Sequence, residues 1–203
     1  MKIIRREQLT EKEWSGGTTT ELAICPEGAV YADRDFFWRL SSAVVRDEKS
    51  TFTALPDYMR LITTRKGNLR MKHDAGAWYE LEPGQAALFD GASETVSEGV
   101  VTDFNLMLRK GKAEGEIEAA KLAAAGGAVK IGDLSGIWRQ PEEKETVGIF
   151  VSDPGTVCFE DPSVPALHEG ELVLFSSSDA VGNLKMKADS NMMIICIYIK
   201  LVF

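Results

Sequence analysis

The chain repeats itself at a fixed spacing, and the repeat limits what it can fold into. Leu81, Gly84, Gln85, Leu88 and Phe89 form the pattern L-x-x-G-Q-x-x-L-F. Leu167, Gly170, Glu171, Leu174 and Phe175 form L-x-x-G-E-x-x-L-F, 86 positions later (Gly84 to Gly170). The same spacing carries Asp103, Asn105 and Met107 onto Asp189, Asn191 and Met193. Self-similarity of this kind predicts two copies of one supersecondary unit rather than two unrelated domains.

Each copy reads as short strands divided by turns. Trp38, Leu40, Ser42 and Val44 alternate with Arg39, Ser41, Ala43 and Val45, the period-2 pattern of a half-buried strand. Further strands are predicted at Arg60–Arg65, Asn68–His73, Trp78–Leu81, Ala86–Phe89 and Thr102–Arg109. Lys66-Gly67-Asn68, Asp74-Ala75-Gly76 and Pro83-Gly84 punctuate them. The second half follows the same order, ending in the apolar run Met192–Val202. Many short strands with Gly/Pro turns, duplicated, predict an all-β chain of two jelly-roll, cupin-like barrels packed together as a bicupin.

Residues 1–109 are the expected first barrel, 110–129 a connector and 130–203 the second barrel. Within the connector, Glu114 to Ala125 is rich in Ala, Glu and Lys and stops at Gly126-Gly127. That composition predicts a short helix, with a flexible linker as the alternative.

Composition bounds the partners. The 203 residues carry a formal charge of −8, which argues against a nucleic-acid backbone as ligand. The three cysteines, Cys25, Cys158 and Cys196, are widely spaced and form no Cys-x-x-Cys pair, as expected of reduced thiols in a cytoplasm. Cys196 sits in an apolar run and reads as a small buried hydrophobe. No apolar run reaches the ~18 residues of a membrane span, and the charged first nine residues do not resemble a signal peptide.

The usual cupin metal site takes a His-x-His pair, a Glu and a further His. This chain has two histidines, His73 and His168, and neither has a His partner at ligand spacing. Both read as exposed turn residues, and no metal or other cofactor is expected. A Gly-x-Ser-x-Gly elbow and a phosphate loop are also missing from the sequence.

Several polar residues remain where a plain sandwich prefers apolar ones. Trp14-Ser15-Gly16-Gly17-Thr18-Thr19-Thr20 joins an aromatic, two glycines and three hydroxyls; it reads equally as a ligand-approaching segment or an edge loop. Arg39 shares a strand face with Ser41. Ordinary burial preferences put it in solvent, but beside small residues a guanidinium could line a pocket and grip a carboxylate. Asp103 and Asn105 share another strand face, suited to orienting a ligand or to a structural network. Arg60 opens a strand and could pair with Asp103 or meet a ligand.

At these residues the chain resembles the HutD/Ves family of bicupins. The matching segments are W-S-G-G-T (Trp14–Thr18), W-R-L-S-S-A (Trp38–Ala43), F-T-A-L-P-D-Y-M-R (Phe52–Arg60), F-D-G (Phe89–Gly91) and D-F-N-L-M (Asp103–Met107). The resemblance implies a bicupin without the usual cupin metal ligands. It further implies a role in regulating histidine utilisation, or in a related stress response, through a small anionic metabolite such as N-formylglutamate or urocanate. Carried onto this sequence, the pocket residues are Trp14, Gly17, Thr18, Arg39, Ser41, Arg60, Asp103 and Asn105. Asp47–Ser50 and Asp57-Tyr58 depart from the family pattern and are expected near the pocket mouth. A binding protein is the leading expectation. A metal-independent enzyme with Asp103 as general base and an interaction module with a filled interior are the alternatives. Monomer and homodimer both stay open.

Overall fold

Alternating side chains make about half of this chain strand, and nearly all of its regular structure. A computed structural model describes residues 1–124 and 126–203. Among them the strands are β1 (Lys2–Ile4), β2 (Glu11–Trp14), β3 (Gly17–Cys25), β4 (Trp38–Val45), β5 (Lys49–Thr51), β6 (Tyr58–Lys66), β7 (Leu69–His73), β8 (Tyr79–Leu81), β9 (Ala86–Asp90) and β10 (Thr95–Glu98). They continue as β11 (Val101–Arg109), β12 (Ala113–Leu122), β13 (Val129–Lys130), β14 (Glu145–Val151), β15 (Thr156–Phe159), β16 (Leu167–His168), β17 (Leu172–Phe175), β18 (Lys185–Ala188) and β19 (Met192–Leu201). A single-turn helix, Ile131–Leu134, follows β13. No helix is long and apolar enough to cross a membrane among these residues.

The chain divides into two compact units. The first comprises Leu9–Glu114 with Phe203; the second comprises Met1–Gln8 with Gly115–Val202. The first contains a six-stranded sheet, β2-β3-β4-β11-β6-β9, and a four-stranded sheet, β5-β10-β7-β8. Val45, Ile62, Phe89 and Val101 from the larger sheet pack on Leu69, Met71 and Leu81 from the smaller. The second contains a five-stranded sheet, β1-β17-β14-β19-β12, and a four-stranded sheet, β13-β18-β15-β16. Its core runs through both, from Val147, Ile149, Ile194 and Cys196 to Val157, Leu167 and Met186. Each unit therefore buries the inner faces of two sheets against one another.

The first part of the repeat is real in three dimensions. Gly84 and Gly170 both have positive φ, 89° and 81°, at the turn that feeds β9 and β17. The Gln85 side chain accepts the Glu82 N–H at 3.0 Å, and the Glu171 carboxylate accepts the His168 N–H at 2.9 Å. The Gly84 N–H reaches the Thr64 carbonyl, as the Gly170 N–H reaches that of Val151.

The second part of the repeat is not. Leu61 lies opposite Leu88 and Leu106, whereas Gly148 lies opposite Leu174 and Ile197. Leu106 of β11 thus corresponds to Ile197 of β19, a spacing of 91, and Asp103, Asn105 and Met107 correspond to Ile194, Cys196 and Tyr198. Asp189 and Asn191 precede β19, where they accept the Thr156 and Ala124 N–H groups. Their match to Asp103 and Asn105 is a coincidence of spacing.

The helix expected over residues 114–125 is a strand. Ala113, Ile117, Ala120 and Leu122 bury their side chains along β12, which extends the five-stranded sheet. Local propensity for helix yields here to pairing and burial; Ala125 lies outside the described residues. His73 is also not an exposed turn residue. It ends β7 half-buried, with Nδ1 on Thr95 Oγ1 at 2.8 Å, Nε2 on the Tyr79 hydroxyl at 2.7 Å and Phe89 stacked on its ring. His168 is exposed, as expected, but it ends the short strand β16 rather than sitting in a turn.

Candidate functional site

The inner face of the six-stranded sheet is built in rows. Register aligns Ile24, Arg39, Met107, Arg60 and Phe89 in one row across β3, β4, β11, β6 and β9. The next row is Glu21, Ser41, Asn105, Ile62 and Ala87; the third is Thr19, Ala43, Asp103 and Thr64. Because side chains of a strand alternate, these residues all project from one sheet face. Where they face β5, β7 and β10 they enclose a cavity of about 320 Å³. Phe52, Leu69, Val45, Val101 and Met107 give it apolar walls, while Arg39, Ser41, Arg60, Asp103 and Asn105 give it polar ones. A mostly apolar hollow with a few convergent polar groups is the usual form of a small-ligand site.

Six of the eight expected site residues, Trp14, Arg39, Ser41, Arg60, Asp103 and Asn105, line this cavity. Gly17 and Thr18 are absent from its lining. The segment they belong to is a β2–β3 hairpin with Ser15-Gly16 at its turn, rather than a loop. Gly17 is held there by packing: a Cβ on it would sit 1.9 Å from the Val44 carbonyl oxygen. Thr18 lies opposite Val44 on the other face of the sheet, and its neighbour Thr19 lines the cavity instead. Of the family departures, Ser50 lines the cavity, whereas Tyr58 is buried in the core with its hydroxyl donating to the Phe36 carbonyl.

Arg39 is not on the solvent face; it is 5% exposed. Its Nε donates to Glu21 Oε2 at 2.7 Å and its Nη1 to Ser41 Oγ at 3.0 Å, while its guanidinium lies 4.4 Å from the Tyr31 ring centre. Arg34 covers the same ring at 3.9 Å. Glu21 and Tyr31 were not legible as site residues. Glu21 follows from Thr19 by strand alternation once β3 is known, but no local signal marks Tyr31.

Arg60 is buried to the same degree and differently served. Its guanidinium sits 4.7 Å from the Phe52 ring centre and 5.3 Å from that of Phe89, which fixes its position by cation–π contact. Its Nε has no hydrogen-bond partner. Burial lowers its pKa to about 10, and the charges of Arg39 and Arg34 push the same way. Asp103 accepts the Ala43 N–H at 2.9 Å. Burial raises its pKa to about 6, against the opposing pull of that N–H and of Arg60. Asn105 is buried with its Oδ1 unpartnered.

Arg60 is the group best placed to meet an anion. Glu21 is paired with Arg39, whereas among the described residues no carboxylate lies within ion-pair distance of Arg60; Asp103, with its pKa at about 6, acts on it at longer range. A buried, unpaired guanidinium is expensive unless a ligand completes it. The same donor set does not fit a divalent metal. No histidine or cysteine lines the cavity, and two guanidiniums stand beside its carboxylates.

The family model described as HutD matches residues 6–193. The chain belongs to the HutD family. A conserved protein of unknown function from Pseudomonas aeruginosa PAO1 has a similar structure, with TM-score 0.77 and 21% identity over 98% of both chains. HutD from Pseudomonas fluorescens SBW25, in a structure described as a formate condition, gives TM-score 0.66 and 20% identity over 98% of this chain and 97% of that one. A cupin 2 conserved barrel domain protein from Leptotrichia buccalis gives TM-score 0.51 and 11% identity over 98% and 96% of the two chains. At these identities the likeness extends to the fold, which is all-β and cupin-like. No curated protein matches the sequence.

Proposed function

We propose that this HutD-family chain is a small-molecule binding protein built from two jelly-roll barrels of the bicupin type. Its first unit takes a small organic carboxylate, and Arg60 is the anion partner. The observation that carries this reading is the Arg60 guanidinium itself: buried, in contact with the rings of Phe52 and Phe89, and without a hydrogen-bond partner for its Nε. Asn105 stands diagonal to it on the neighbouring strand β11, and Ser41 lies opposite Asn105 on β4. Trp14, 40% exposed, borders the cavity from the β2–β3 hairpin. Family membership supports an N-formylglutamate- or urocanate-like ligand whose occupancy tunes histidine utilisation.

The test is a thermal-shift screen with formylglutamate, urocanate, glutamate, formate and a panel of divalent metals. A carboxylate at about 100 times its Kd adds about 2.7 kcal/mol, a shift of several degrees in a chain of this size. A shift with a carboxylate and none with metals is expected; shifts with metals alone contradict the reading.

One observation favours a second reading, in which the same unit is a metal-independent enzyme. Asp103, raised to about 6, is tuned for a general base near neutral pH. Turnover of a bound carboxylate that is lost in Asp103→Asn would support it. Ligand recovered unchanged after prolonged incubation would rule it out.

A further inference from the structure

A residue that no sequence signal marks stands close to the anion partner. Tyr31 lines the cavity of the first unit. It opens a single helical turn, Tyr31–Asp33, in the connection between β3 and β4. Arg34 follows with a left-handed φ of 56°, and its guanidinium lies 3.9 Å from the centre of the Tyr31 ring. The Arg39 guanidinium lies 4.4 Å from the same centre. Two guanidiniums on one ring hold it by cation–π contact, which leaves its hydroxyl to bond elsewhere.

Three observations set this side chain over one row of the sheet. The row runs Arg39, Met107, Arg60 across β4, β11 and β6. The ring contacts Arg39 at one end and packs against the cluster that contains Met107 in the middle. At the other end, Tyr31 acts on the Arg60 charge more strongly than Asp103 does. Asp103 is the more deeply buried of the two, and burial strengthens electrostatic interaction, so this order reflects distance: the phenol oxygen is the nearer. Among the described residues the Tyr31 hydroxyl has no hydrogen-bond partner. Nor do the two Nη atoms of Arg60, and unlike Nε they are not sealed from the cavity.

We propose that Tyr31 is a direct ligand contact: its hydroxyl donates to the same carboxylate that the Arg60 Nη atoms grip. The acid is then held from the sheet by a guanidinium and from the β3–β4 connection by a phenol. This rests on the carboxylate reading above and adds a residue to it. A carboxylate offers acceptor sites for about four donors, more than one guanidinium fills. An O–H given to an ionised carboxylate makes roughly twice the bond it makes to a neutral acceptor. With its ring already held, the side chain loses little further freedom when the acid arrives.

Formate is the probe, because it is a carboxylate and little else. It is titrated into the intact protein, isotope-labelled at the tyrosine Cζ atoms and followed by NMR. Of the four tyrosine signals, that of Tyr31 is the one missing from Tyr31→Phe. Formate should move this signal saturably. Tyr31→Phe keeps the ring and removes the hydroxyl, and it should weaken formate about tenfold, as the loss of one hydrogen bond to a charged group does. A Tyr31 signal that stays still while formate saturates the wild type overturns the proposal without recourse to any variant's affinity. Undiminished affinity in Tyr31→Phe overturns it too. Where either result comes with formate binding weakened in Arg60→Gln, the carboxylate reading stands and the Tyr31 contact alone falls. No saturable formate binding to the wild type, or undiminished binding in Arg60→Gln, removes both.

Discussion

Arg39 donates its Nε–H to Glu21 Oε2 at 2.7 Å, whereas Arg60, in the same row of the same sheet face, has an Nε with no partner. The two arginines therefore differ in what they can give a ligand. Arg60→Gln is expected to weaken carboxylate binding by at least about 2 kcal/mol, the usual consequence of losing a desolvated charge partner. Glu21→Gln acts in the opposite sense: it releases Arg39 and removes a negative charge from the cavity, so binding should be maintained or tightened. Isothermal titration of the two variants decides this. Weaker binding in Glu21→Gln than in Arg60→Gln would reverse the assignment.

Titration of Asp103 makes both stability and binding depend on pH. Its folded pKa is raised from the ordinary carboxyl range to about 6, so the native state holds this proton more tightly than the unfolded chain does. The associated stability is fully present below about pH 4 and is lost as pH rises through about 6, a loss of roughly 3 kcal/mol. Urea denaturation at pH 4.5 and 7.5 should show this fall in the wild type and a smaller one in Asp103→Asn. Carboxylate binding should tighten below pH 6, where Asp103 is neutral, and the variant should lose that dependence.

Matched positions in the two units should respond in opposite ways. Cys196 is fully buried in the apolar core of the second unit, with Ser135 as a polar neighbour; burial pushes its thiol up to about 12. Cys196→Asn forces a larger and more polar side chain into a packed core beside Ser135 and should destabilise by about 2–4 kcal/mol. Asn105→Cys removes an unpartnered acceptor and should be close to neutral or stabilising. Chemical denaturation of the two variants gives the comparison directly.

The β2–β3 hairpin offers a contrast between adjacent glycines. A Cβ at Gly17 would lie 1.9 Å from the backbone oxygen of Val44, which cannot move without separating β3 from β4. Gly17→Ala should destabilise by several kcal/mol, as overpacking against backbone does. A Cβ at Gly16 would lie 2.3 Å from the ring of Trp14, a half-exposed side chain free to swing away. Gly16→Ala should change tryptophan fluorescence at little expense in stability. Equal losses in both would contradict this account of the hairpin.

The positions of many strands were legible, because alternation is a local property. Trp38–Val45, Tyr58–Lys66 and Val101–Arg109 form where period-2 patterns and turn residues predict strands. Register was not legible, because it is a property of pairs of strands. The D-x-N-x-M match at a spacing of 86 therefore pointed at Asp189 and Asn191, while pairing assigns Ile194 and Cys196. Residues 113–122 misled for a related reason: alanine, glutamate and lysine favour helix alone, and the sheet that claims them is distant in sequence. Most of the candidate site was named through the family resemblance; polarity on a strand marked Asp103 and Asn105 but left Arg39 in solvent, because burial is set by the sheet that packs over it. Glu21 and Tyr31 were not legible, since only tertiary structure brings them to Arg39.

The central claim is that Arg60 receives a small carboxylate in the cavity of the first unit. Calorimetric titration of urocanate and of formylglutamate into the wild type and into Arg60→Gln tests it most directly. Saturable binding of at least one acid at one site per chain, weakened tenfold or more in the variant, is the predicted result. Undiminished affinity in Arg60→Gln, or no saturable binding of either acid to the wild type, would contradict it.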